Sequence, residues 1–133
     1  MLLRSPASLR RLGVLGMNER NIGYIGRYNP RKNYPLVDNK LATKSRARDR
    51  GIPVPELFGI IEYQHQVREV IEMLAPHQSF VVKPAQGSGG KGILVVVDRR
   101  GDNYLKASGQ EINQEAVARH VSNILAGLHS LGG

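Results

Sequence analysis

The sequence predicts an α+β fold, and three observations predict it. In Phe80-Val-Val-Lys-Pro-Ala-Gln-Gly-Ser-Gly-Gly-Lys-Gly-Ile-Leu-Val-Val-Val97, a glycine-rich turn separates two apolar, β-branched runs, which read as strands. Behind Asn113, a residue suited to a helix cap, Val117, Val121, Ile124, Leu125 and Leu128 recur at helical spacing. Between these elements, Arg99-Arg100-Gly101-Asp102-Asn103 is turn chemistry that folds the second strand back onto Tyr104 to Ala107 as a hairpin.

The remaining elements follow in chain order. Ser5 before Pro6 starts a short helix with Leu9 and Leu12 on one side. Asn18 to Val37 is dense in Asn, Gly, Arg and Tyr, and Asn29-Pro30 and Tyr34-Pro35 disfavour helix locally, so an irregular segment is expected there. Asp38 or Asn39 caps a helix that runs toward Arg50 and stops at Gly51. Leu57 to Ile61 reads as a short strand, and Gln64 to Leu74 as a helix with Val67, Val70, Ile71 and Leu74 inward. Ser79 to Lys83 and Ile93 to Asp98 are the strands on either side of the glycine turn. The stripe from Val117 to Leu128 has little chain left to cover it, so self-association through this helix is expected.

Composition bounds the class. At 133 residues the chain is one domain's worth of protein, and no apolar run approaches the roughly 20 residues of a membrane span, so no membrane partner is expected. Cysteine is absent, which excludes disulfides and thiolate metal sites. Arg4, Arg10 and Arg11 interrupt the first apolar stretch, so no secretory signal is read and a cytoplasmic location is expected. The net charge of +8 is concentrated before Gly51, where twelve Lys or Arg face only Glu19, Asp38 and Asp49. A solvated basic face accounts for this more simply than nucleic acid, because only Tyr24, Tyr28 and Tyr34 offer stacking and no binding motif is present.

The chemistry lies in the glycine turn. Gly87, Gly89, Gly90 and Gly92 let the backbone approach an anion and turn N–H groups toward it, while Lys83 and Lys91 supply positive charge. A nucleoside triphosphate is the expected guest. Gly87 to Gly92 matches G-x-G-x-x-G, but a strand follows rather than a helix, so it is not a dinucleotide fingerprint. It is not a P-loop either, since Ala85 replaces that pattern's first glycine and Gly92 its Ser or Thr. A strand, glycine loop and strand is the shape of a flap over phosphates, although no H-R-D or D-F-G of a kinase is present. A hairpin without a ligand is the competing reading. Two features favour the anion: Lys83 ends an apolar strand, where its charge is costly to bury unless an anion meets it, and Lys40 and Lys44 form a second cationic pair one helical turn apart.

Asn39-Lys-Leu-Ala-Thr-Lys44, Gly51-Ile-Pro-Val-Pro-Glu56, and Phe80-Val-Val-Lys-Pro84 with its loop together resemble the opening of an ATP-grasp ligase. The likeness is to the ribosomal-protein S6 glutamate ligase-related, sugar-transfer-associated group, and runs from about Met17 to the end. The resemblance implies an ATP-dependent carboxylate–amine ligase acting through an acyl phosphate, with glutamate as the acid the likeness suggests and the carboxylate and amine otherwise unassigned. It implies that Lys40, Lys44 and Lys83, with Gln86, Gly87, Ser88, Gly89, Gly90, Lys91 and Gly92, bind ATP, and that Mg is held by ligands outside this chain. The expected layout is a short, basic, helical or irregular segment over 1–36 and a partial ATP-grasp domain, its first nucleotide-binding subdomain, over 37–133. A fragment of that kind is expected to bind ATP weakly and not to ligate alone. Asp98, Asp102, Glu111 and Glu115 are read as hairpin and cap residues, and His65, His77, His120 and His129 as scattered without ligand spacing. A non-catalytic nucleotide-binding module and a basic nucleic-acid-binding or assembly protein remain the alternatives.

Overall fold

The chain divides into two units, Met1–Asp38 and Asn39–Gly133. Their structure, a computed structural model, describes residues 5–87 and 89–129. In the first unit, the Ser5 hydroxyl accepts from the Ser8 N–H at 3.2 Å and caps α1 (Pro6–Arg11). Next come α2 (Met17–Glu19), a wider π-type helical segment (Arg20–Gly26), a 3₁₀ turn (Arg31–Asn33) and α3 (Pro35–Asp38). The expectation of irregular chain over Asn18–Val37 is therefore corrected. Proline restricts the residue before it but is well suited to a first helical turn, and Pro30 and Pro35 stand at helical starts. No described residue of this unit is buried.

The second unit begins with α4 (Lys40–Asp49), capped by Asn39, whose Oδ1 accepts from the N–H groups of Leu41 and Ala42 at 3.0 and 3.2 Å. Gly51 ends it in the left-handed region, φ +70°. Its N–H bonds the Arg48 carbonyl and that of Ile52 the Ala47 carbonyl, a Schellman closure. Residues 52–62 take no regular secondary structure and join no sheet, so the strand expected at Leu57–Ile61 is absent. Side-chain contacts take its place: Phe58 stacks on His77 with ring centroids 3.5 Å apart, and Gly59 lies where a Cβ would collide with the Met73 thioether. The helix expected over Gln64–Leu74 is split into a 3₁₀ stretch (Gln64–Glu69) and α5 (Val70–Leu74).

The sheet is antiparallel in the order β1 (Phe80–Val82), β2 (Leu94–Arg100), β3 (Asn103–Lys106), β4 (Glu111–Asn113). Arg100 faces Asn103 across the Gly101-Asp102 turn, where Gly101 takes φ +60°, so the expected hairpin forms. The register shift between Val96 and Asp98 marks a bulge in β2. α6 (Gln114–Leu125) follows, capped by Asn113 through a 2.9 Å bond from the Ala116 N–H.

The core lies on one face of the sheet. Phe80, Leu94, Val96 and Tyr104 meet Val70 and Leu74 of α5 and Val117 and Val121 of α6, and Phe80 sets its ring edge-on to Tyr104 at 5.2 Å. Val117 is fully buried and Leu125 packs against the cluster, so the stripe expected to be bare is covered along most of α6. Only Leu128, beyond the helix, is left 68 % exposed. The stripe from Val117 to Leu125 thus packs within the chain instead of lying bare. The outcome is the α+β class expected from the sequence, with helices on one face of a four-stranded antiparallel sheet.

Candidate functional site at the glycine loop

The loop that joins β1 to β2 begins as soon as the strand leaves the core. Lys83 is exposed and Pro84 beside it is buried, which corrects the expectation of a desolvated lysine at the strand end. The Lys83 charge is solvated, so it carries no burial penalty and is free to meet an anion from solvent.

Two side chains hold the ends of the loop. The Lys40 N–H bonds the Ala85 carbonyl at 2.9 Å and its ammonium donates to the Gly87 carbonyl at 2.9 Å. These bonds bring the start of α4 onto residues 85–87. The first N–H groups of α4 are already engaged, by Ala85 and by the Asn39 side chain, so this helix start offers no free donors to a ligand. At the other end, His120 of α6 places Nε2 3.0 Å from the Gly92 carbonyl, and since a carbonyl only accepts, the ring donates. The His120 and His129 rings lie 5.6 Å apart between centroids. A Cβ on Gly92 would come within 2.6 Å of the His129 Cβ.

Between these ends the backbone has the conformation its glycines permit. Gly87, Gly89, Gly90 and Gly92 have φ of +144°, +66°, +73° and +73°. Around Gly89 and Gly90 the position of a Cβ has no neighbour within 4 Å, so the tip stands clear of the protein. Lys91 is exposed, and Lys44 is half-buried on α4. Among the described residues, no hydrogen bond or ion pair within the chain engages the side chains of Lys44, Lys83, Gln86 or Lys91. Ser88 lies outside the described residues. No acidic residue occurs between Ser79 and Val97, so the loop's own sequence carries only positive charge. Exposed, unpaired ammonium groups and a backbone open to close approach fit a polyphosphate.

Asp98, Glu111 and Glu115 are engaged elsewhere. Asp98 accepts from the Gln78 amide at 2.6 Å and from the Arg99 N–H at 2.8 Å, and these bonds hold its carboxyl below the ordinary value, with further help from the Arg100 charge. Glu111 pairs with Arg100 and Glu115 with Arg119, each at 2.9 Å. Among the described residues there is no group of three or more His, Cys, Asp or Glu that could hold a metal ion. Also among the described residues, no helix is long and apolar enough to cross a membrane.

Of the residues the sequence singles out, the structure thus joins Lys40 to Gly87 and, among the described residues, gives the side chains of Lys44, Lys83, Gln86 and Lys91 no partner. It also adds His120 and His129, which sequence reasoning missed. Their separation from the loop, 28 residues for His120 and Gly92, hides the contact; only the packing of α6 beside the sheet creates it.

In comparison with known proteins, the family model described as sugar-transfer associated ATP-grasp matches residues 19–133. Neither the curated proteins nor the solved structures gave a match.

Proposed function

This chain belongs to the sugar-transfer associated ATP-grasp family, and from that premise we propose that its glycine loop, with Lys83 and Lys91, binds the triphosphate of ATP for a carboxylate–amine ligation. Membership makes the domain an ATP-binding, ligase-like module. The observation that carries the assignment to this loop is the combination of four glycines at positive φ with two exposed lysines that no group among the described residues neutralises.

Each residue has a distinct part in the proposal. Lys83 and Lys91 neutralise phosphate oxygens, and the backbone N–H groups of Gly89 and Gly90 line the anion where no side chain intrudes. Lys40 spends one of its three donors on the Gly87 carbonyl and keeps two for a phosphate. Lys44, one turn along α4, adds longer-range positive potential. Bound ATP would supply a phosphoryl group that activates a carboxylate as an acyl phosphate, leaving ADP, and an amine would then attack the acyl carbon and displace phosphate. Glutamate is the acid suggested by the family likeness. The groups at the loop are ammonium, imidazole and backbone, which bind and orient phosphate. The proposal for this chain alone is therefore nucleotide binding without ligation turnover, and for its layout a basic segment over 1–36 before a partial ATP-grasp domain over 37–133.

Calorimetric titration of ATP and AMP into the chain and into Lys83→Ala and Lys91→Ala tests the assignment. An exposed ion pair is worth about 1 kcal/mol, so each variant is expected to bind ATP about fivefold more weakly while melting normally. Equal affinity for ATP and AMP, with both variants unchanged, would remove the loop from the site.

A further inference from the structure

The loop is held at both ends. At its start the Lys40 ammonium, reaching from α4, bonds the Gly87 carbonyl at 2.9 Å. At its end the His120 ring, reaching from α6, bonds the Gly92 carbonyl at 3.0 Å. Between them, the Cβ positions of Gly89 and Gly90 have no neighbour within 4 Å. We infer that His120 is a positioning residue of the phosphate loop: it fixes the end at Gly92, so that less of the loop has to be ordered when a phosphate binds. The inference rests on the ATP reading of the loop given above.

The physical argument starts from glycine itself. A segment with four glycines loses more conformational entropy on ordering than any other sequence would, so a loop left to itself would sample many shapes and pay that cost when it binds. Pinning both ends removes most of those shapes before the ligand arrives, which raises affinity without a new ligand contact. His120 is suited to this. It sits on α6, and the same helix anchors Val117 and Val121 in the core, so the ring is carried by a rigid element. The ring is part-buried, and its Nε2–H donates to Gly92 whether Nδ1 is bare or protonated. His129 packs behind the same glycine, leaving no space for a side chain there.

The test compares His120→Leu, which keeps bulk but has no donor, with His120→Gln, whose amide N–H can occupy the place of Nε2. Hydrogen exchange of the loop amides is measured in the nucleotide-free chain, ATP affinity by titration, and folding by thermal melts. In His120→Leu the amides of the 89–93 stretch are expected to exchange faster and ATP to bind about fivefold more weakly, the worth of one hydrogen bond. In His120→Gln both are expected to return to within about twofold of the parent. If His120→Leu fails to fold, His120→Asn takes its place, since its amide is too short to reach Gly92. A folded variant without the donor whose loop exchange and ATP affinity match the parent would overturn the inference, as would a Gln variant that behaves like the Leu one. A parent chain with no ATP affinity would instead overturn the phosphate assignment, and the role in binding with it, while loop exchange would still report whether His120 holds Gly92.

Discussion

Adding one methyl group at Gly89 or at Gly92 should separate ligand binding from fold stability, because the two glycines share a backbone conformation and differ in surroundings. Both lie in the left-handed region, at φ +66° and +73°, where an alanine costs roughly 1–2 kcal/mol. Part of that cost is offset by the smaller conformational freedom that alanine has in the unfolded chain, about 0.4–1 kcal/mol. Gly89→Ala meets no atom within 4 Å, so its net loss of stability should be about 0.5–1 kcal/mol. Gly92→Ala places its methyl 2.6 Å from the His129 Cβ and 2.9 Å from its Cγ. Those atoms lie at the root of the side chain, so rotation of the ring cannot clear them. Overpacking then adds about 1–3 kcal/mol, for a total near 2–4 kcal/mol. The order reverses for ATP: the methyl at Gly89 lies where phosphate would approach, and affinity should fall at least about tenfold, a loss of roughly 1.4 kcal/mol. Urea denaturation gives the stabilities and calorimetry the affinities. Equal destabilisation by the two variants, or normal ATP binding by Gly89→Ala, would refute the reasoning.

Three other outcomes are expected. Asn39→Ala removes the acceptor for the Leu41 and Ala42 N–H groups and should cost about 1 kcal/mol in urea melts, with faster amide exchange at the start of α4. Tyr104 is fully buried and its hydroxyl has no partner among the described residues, so Tyr104→Phe should raise stability by about 1 kcal/mol; a drop in melting temperature would show the hydroxyl to be bonded. Asp98 titrates below its ordinary value of 3.8 because of Gln78 and the Arg99 N–H, so its contribution is complete above that pH and is lost as pH falls through the lower, folded-state value. The stability gap between the parent and Asp98→Asn should therefore be flat from neutral pH down to about pH 4 and narrow below it, as acid melts would reveal.

Local signals in the sequence carried much of this architecture. Apolar, β-branched runs on either side of the glycine turn located β1 and β2, Gly101-Asp102 located the hairpin, and Asn39, Gly51 and Asn113 marked helix ends where their side chains or backbone do act as caps. What was not legible depended on distant partners. Leu57–Ile61 has strand composition, yet β propensity is realised only against a neighbouring strand, and here Phe58 and Gly59 are occupied by His77 and Met73. β4 is only Glu111–Asn113, too short and polar to stand out, and exists because β3 offers it an edge. The coverage of α6 was misjudged for the same reason, since α5 and the sheet face that cover it come from earlier in the chain. At the site, glycines and lysines announced themselves by type, whereas the hold of Lys40 on Gly87 and of His120 on Gly92 is a property of the folded arrangement.

The account turns on where the triphosphate touches the chain, and amide chemical shifts in a nitrogen-15-labelled sample read that directly. On titration with ATP, the resonances of Gly87, Gly89, Gly90, Lys91 and Gly92 should move together and saturate, and adenosine without phosphates should leave them in place. If those glycines stay still while ATP shifts a different set of amides, or if adenosine moves them as far as ATP does, the loop is not the phosphate site.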